Sequence, residues 1–300
     1  MDLLLLSVVA VIAVALLFDF SNGFHDAANS VATVVATKAM PAKWAVWFSA
    51  FFNFLAFFFV GTAVANTVAK VISPGVEGVA VVFAALLAAI AWNYATWFVG
   101  MPSSSSHAII GGLIGAGLSA GGTDAVDWTN VKKVALAIVL SPAVALTVGA
   151  IAVGLVKAIQ KVTGWGDDAK PFKGLQLVSA AAVSFGHGAN DAQKTMGVIA
   201  TLLVGAGYLE TSDPKNIAVP VWVAFAAYAA IALGTVWGGW RIIHTMGMKI
   251  TTLHANTGVA ANIGATTAIF GATQMGIPIS TTHAAASSVV GAGAASRRGV

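Results

Sequence analysis

The chain has 300 residues, 58% of them hydrophobic and 9% charged, with a net charge of +4 and no cysteine. That composition lies far from the soluble average and places the chain in a membrane, while the lack of cysteine excludes disulfides and thiolate–metal sites. The basic residues lie beside predicted helix ends, which is an orientation signal rather than a nucleic-acid patch.

In chain order, the apolar stretch from Leu3 to Phe18 has no basic flank and reads as a retained first helix, not a signal peptide. Further predicted spans are Trp44 to Ala65, Val79 to Val99, Ile109 to Leu118 extended by its serine turn, and Val134 to Val156. The second half follows with Gly174 to Val204, Val219 to Trp240, Ala255 to Met275 and Pro278 to Ala295. No charged residue falls between Glu77 and Asp124 or between Lys249 and Arg297. At about 1.5 Å per helical residue, each gap crosses a roughly 30 Å hydrocarbon core twice, so each must turn back near its proline.

Basic loops are Lys38 to Lys43, Lys157 to Lys173, Arg241 to Lys249, and Arg297 with Arg298. Neutral or acidic loops are Lys70 to Glu77, Asp124 to Lys133 and Glu210 to Lys215. Placing the basic set in the cytoplasm alternates correctly and puts the N-terminus outside. The first half then crosses five times, or three if the proline turn is a re-entrant hairpin, so the second half enters inverted either way. Trp44, Trp47, Trp97, Trp128 and Trp240 suit interfacial belts. Asn53, Asn66 and Asn93 read as interhelical hydrogen bonds.

The chain repeats itself. Gly23-Phe24-His25-Asp26-Ala27-Ala28-Asn29-Ser30 returns 165 positions later as Gly188-Ala189-Asn190-Asp191-Ala192-Gln193-Lys194-Thr195. Pro102-Ser103-Ser104-Ser105-Ser106-His107 returns as Pro278-Ile279-Ser280-Thr281-Thr282-His283, and Gly115-Ala116-Gly117 as Gly291-Ala292-Gly293. The expected fold class is an all-α polytopic membrane protein, an inverted-topology internal repeat with broken helices meeting at the bilayer midplane. Residues 1–160 form the first repeat, 161–173 a cytoplasmic linker and 174–300 the second repeat. The duplication also predicts a final helix after Gly293, matching Val134 to Val156, that this sequence does not contain.

A carboxylate at membrane depth costs several kcal/mol unless paired, hydrated or bound to a cation. Asp26 and Asp191 are therefore candidate cation ligands, and the small residues around them allow a broken helix to approach another backbone and free carbonyls for coordination. Proline before a hydroxyl run marks a helix start, whose free N–H groups attract an oxyanion. Ser103 to Ser106 and Ser280 to Thr282, related by inversion, face one anion on this reading. His107 and His283 follow those runs at identical spacing and are additional candidates, whereas His25 and His187 occupy different registers without metal-ligand spacing.

These paired motifs resemble the inorganic phosphate transporter family usually called PiT, across both halves. The resemblance implies secondary transport of inorganic phosphate coupled to H+ or Na+, an inverted-repeat fold and a homodimer among membrane lipids. It implies no cofactor beyond Na+ as coupling ion, which Asp26 and Asp191 would hold; no other metal is implied. By motif, Asp26, Asn29, Asn190 and Asp191 would hold coupling cations, and Ser104, Ser105, Ser106, Ser280, Thr281 and Thr282 would hold phosphate. Two departures stand out: His25 replaces a frequent Asn, and Lys194 stands where the repeat would place a counterpart of Asn29. Lys194 would do electrostatically what a bound sodium does elsewhere, and Gln193-Lys194 resembles the bacterial branch, often proton-coupled and linked to metal–phosphate complexes.

A sulfate permease of the same architecture is the alternative transport reading, although phosphate can donate a hydrogen bond to an acid and sulfate cannot. An intramembrane hydrolase built from Ser104, His107 and Asp26 is a distant one, since it uses only one copy of each motif.

Overall fold

The computed structural model describes residues 2–211 and 217–296, and among them the secondary structure is helical, with one isolated bridge from Ile72 to Val126. The first half comprises α1 (Leu3–Ala36), α2 (Ala42–Leu55), α3 (Ala63–Ala69), α4 (Val79–Phe98), α5 (Ser105–Gly121) and α6 (Trp128–Thr163). The second comprises α7 (Lys170–Gly205), α8 (Val221–Trp237), α9 (Trp240–Met248), α10 (Ala255–Gln274) and α11 (Thr281–Ala295). Arg297 and Arg298 of the last basic loop, and Lys215 at the end of the loop from Glu210, lie outside the described residues.

The halves match element by element. α1 and α7 are the long motif helices, α2–α3 and α8–α9 are pairs bent by 88° and 72°, and α4 and α10 have 20 residues each. α5 and α11 start at the hydroxyl runs, where Ser104 and Ser280 accept the backbone N–H of His107 and His283 as N-caps. α6 belongs to the first half yet packs on α10 and α11, and among the described residues no counterpart covers α4 and α5.

Packing is exchanged between the halves: α1 lies on α8 and α9, and α7 lies on α2 and α3. Glycine makes both approaches close. A Cβ on Gly23 would strike the Ile231 carbonyl of α8, and one on Gly188 the Asn53 carbonyl of α2.

The helix breaks are not where the small residues suggest. α1 and α7 run unbroken through Asp26 and Asp191 for 34 and 36 residues, so no backbone carbonyl is freed there. The breaks instead interrupt the spans predicted as Trp44 to Ala65 and Val219 to Trp240. In the latter Gly238 ends α8 at φ 73°, a left-handed conformation that favours glycine.

α1, α4 and α6 are long and apolar enough to cross a membrane, as is each bent pair taken together. α7 is not among them, because nearly every residue from 183 to 203 is buried inside the protein and needs no apolar surface against lipid. α6 ends at Thr163 on Gly164 in the left-handed conformation and α7 begins at Lys170, so the connection between the repeats is 164–169.

Candidate substrate and ion site

Helical spacing assembles the acidic half. Asn22, Asp26 and Asn29 lie at i, i+4 and i+7 on one face of α1, and His187, Asp191 and Lys194 repeat that pattern on α7. The helices meet antiparallel: Asn22 Nδ2 donates to Asp191 Oδ2 at 3.2 Å, and His187 Nε2 lies 4.0 Å from Asp26 Oδ2. Each acid is thus faced by the residue one turn before the other acid. Both carboxylates are fully buried, with Asp26 1% and Asp191 0% exposed, which rules out a boundary position within the protein.

The hydroxyl runs reach the same atoms. Ser105 Oγ lies 3.4 Å from Asp26 Oδ2 and 3.5 Å from Asp191 Oδ2, while Thr281 Oγ1 is 3.4 Å from each. Thr282 donates to Asp26 Oδ1 at 3.1 Å, and Asn29 Nδ2 donates to both Thr281 and Thr282. The hydroxyls and the carboxylates therefore form one cluster, to which each repeat contributes a helix N-terminus and an acid. Ser106 points sideways, donating to the Ile279 carbonyl, and so stitches the two proline turns together. Ser104 and Ser280 are spent on capping.

Lys194, with no exposure, places Nζ 2.7 Å from Asp191 Oδ1. His25 sits between Asp26 Oδ1 at 2.9 Å and Thr96 Oγ1 at 3.0 Å. Asn190 does not face the acids' shared point: its amide donates to Thr273 and the Ile277 carbonyl and accepts from Ile279 N, anchoring the α10–α11 turn. The rings of His107 and His283 lie 5.1 Å apart, where a groove of about 520 Å³ lined by Trp92, Ser103 and Ser104 reaches the helix starts. The hydrolase arrangement is not formed, because Ser104 caps α5 through His107 N and Asp26 bonds His25.

The structure adds residues that the sequence patterns passed over. One oxygen from each of Asp26 and Asp191 and a nitrogen of His187 lie within 4.8 Å of one another, so His187 joins the site despite its register. Its Nδ1 is held 3.2 Å from Asn53 Oδ1, and Asn53 also donates to Thr235, an interhelical role as predicted. The available signal was its position four residues before Asp191, matching Asn22 before Asp26. The half-buried Trp97 packs its ring edge-on to Phe24 at 5.6 Å and under the Arg241 guanidinium at 5.0 Å. Asp19, also without exposure, lies on α1 two turns before Asp26.

Comparison with known proteins agrees with this architecture. Residues 22–300 match the model of the phosphate transporter family. A probable low-affinity inorganic phosphate transporter of Rhizobium meliloti (strain 1021) is 50% identical over 291 residues, 96% of this chain and 86% of that protein. One from Bacillus subtilis (strain 168) is 45% identical over 99% of this chain and 89% of its own length. Among solved structures, the sodium-dependent phosphate transporter superposes with a TM-score of 0.85 over 96% of this chain and 90% of its own, at 24% identity, a likeness of fold. With its buried acid pair and facing helix starts, the chain is a member of the phosphate transporter family, an integral membrane transporter and not an enzyme.

Proposed function

We propose that the chain is a multi-pass symporter of the plasma membrane that imports inorganic phosphate, with H+ or Na+ as the coupling ion. The observation that carries this reading is the convergence of Ser105 and Thr281, one from each repeat, on the Oδ2 atoms of both Asp26 and Asp191. Two carboxylates facing one point in a low-dielectric interior repel each other, and cations bound between them relieve that repulsion. Bound cations also draw the anion, whose oxygens accept from the hydroxyls and from the free N–H groups of α5 and α11. Binding of either ion thereby favours the other, which is the thermodynamic content of coupling.

Phosphate carries protons near neutral pH and can donate to an acid, so a site lined by two carboxylates favours it over sulfate. The grouping of Asp26, His187 and Asp191 also has the donor types of a divalent-cation site, which supports entry of phosphate as a metal complex. The basic loops are assigned to the cytoplasm, lipids surround the exposed apolar faces, and a homodimer is the assembly implied by the family resemblance.

Purified protein in liposomes, given sodium and proton gradients separately, tests the proposal by uptake of radiolabelled phosphate. Accumulation under one gradient, unaffected by excess sulfate, is the expected result. Dependence of that uptake on added divalent cation would identify a metal–phosphate complex as cargo. Equal competition by sulfate, or no response to either gradient, would remove the reading.

A further inference from the structure

The acid that the transport site does not use is Asp19. Its carboxyl group is buried, and among the described residues no cation lies within ion-pair distance of it. The antiparallel register of α1 and α7, fixed by Asn22 on Asp191, sets the Asp19 turn against the Lys194–Thr195 turn. Thr195 and Asn22 face its carboxyl group, and Asp191 and Lys194 both act on it electrostatically. Lys194 is itself buried, and among the described residues its ammonium, which has three donors, pairs with Asp191.

The repeat shows that these two charges belong together. The 165-residue offset pairs Asp26 with Asp191, Asn22 with His187, and Asn29 with Lys194, and it pairs Asp19 with Ser184. The two halves therefore depart from each other twice in charge around this site. Lysine replaces Asn29's counterpart and an acid replaces Ser184's counterpart, and under the inverted symmetry both changes fall on the same side. A neutral Ser184–Asn29 side is matched by a charged Asp19–Lys194 side.

We propose that Asp19 is the second seat of the Lys194 ammonium: the lysine pairs with Asp191 when no coupling cation is bound and moves to Asp19 when a cation takes Asp191. This rests on the reading of Asp191 as a coupling-cation ligand. The flexible four-carbon stem permits the move, and a charge that can leave one acid only by reaching another never stands unpaired in the interior. Lys194 then competes with the coupling cation at Asp191, and Asp19 is the positioning residue that sets how strongly it competes.

A double-mutant cycle tests the pairing. Asp19→Ser and Lys194→Asn each install the residue of the other repeat, and together they rebuild the neutral side. Each single variant is expected to lower the thermal midpoint of the detergent-solubilised protein by several degrees, and the double to lower it by clearly less than the sum. Additive shifts would overturn the pairing. Should a single variant fail to fold, rescue of folded yield by the double gives the same support, and failure of the double as well counts against it.

The exchange has a separate readout in liposomes. Asp19→Asn leaves the lysine held on Asp191, so the coupling-ion concentration for half-maximal phosphate uptake should rise about tenfold or more, while Asp19→Glu keeps wild-type dependence. A residue that only stabilised the fold would change the midpoint and not the ion dependence. A folded Asp19→Asn protein with wild-type ion dependence overturns the exchange. A coupled unfolding cycle in a protein whose wild type shows no ion-driven uptake would instead sink the transport reading and leave the pairing standing.

Discussion

Asp26 and Asp191 occupy equivalent positions in the repeats, yet their surroundings make the consequences of losing them unequal. Asp26 is bonded by His25 and Thr282, whereas Asp191 is paired with the fully buried Lys194 ammonium. Asp26→Asn and Asp191→Asn should each abolish concentrative uptake. Asp191→Asn should in addition destabilise the fold by about 1.5–3 kcal/mol, because Lys194 loses its hydrogen-bonded partner at 2.7 Å. Thermal unfolding beside uptake measurements checks both halves; equal stability of the two variants would contradict the inequality. At the anion side, Ser105→Leu or Thr281→Leu removes a donor and fills the convergence point. Equilibrium phosphate binding should weaken in each, and unchanged affinity in both would place the anion elsewhere.

Among the helices, the exchanged packing of α1 on α8 and of α7 on α2 depends on two backbone approaches that leave no room for a side chain. Gly23→Leu or Gly188→Leu would drive the helix off the carbonyl of Ile231 or Asn53, with the overpacking cost of about 1–3 kcal/mol or more. Gly154→Leu on α6, where a Cβ would meet nothing within 4 Å, should be neutral. Comparison of the three unfolding midpoints decides the matter, and a neutral Gly23→Leu would show that α1 does not pack on α8 this closely. The same contacts explain why α1 and α7 need no break. With the neighbouring backbone in van der Waals contact, Asp26, Asp191, Ser105 and Thr281 converge as side chains, and the main chain keeps its own hydrogen bonds.

For the molecule as a whole, inversion of the repeats is what brings α5 and α11 together by their N-termini. A parallel duplication would point one start toward the site and the other away. The absence of cysteine makes orientation directly measurable. Asp124→Cys and Lys161→Cys lie at exposed positions near opposite ends of the 36-residue α6, which is about 54 Å long and exceeds the hydrocarbon core. In intact right-side-out vesicles an impermeant thiol reagent should modify the first and not the second, since the basic Lys161 side is assigned to the cytoplasm. Labelling of both from one side would refute the orientation.

The membrane setting, the duplication, the two acids and the hydroxyl runs were legible in the residues, because apolarity, a repeat offset and proline-then-hydroxyl helix starts are local properties of a chain. Ser104 and Ser280, grouped with the phosphate donors by motif, use their hydroxyls to cap their helices. What depends on one helix meeting another was not legible. His187 looked out of register until α7 was laid antiparallel on α1, and Asn190 looked like a ligand until the α10–α11 turn claimed its amide. Asp19 was one acid among several until its carboxyl group proved buried on the turn set against Lys194. A linear pattern records which chemical groups exist and how they recur. Which of them share a point in space, and which are already bonded elsewhere, follows from interhelical packing, where side chains far apart in sequence compete for the same few hydrogen bonds in an interior with no water to supply others.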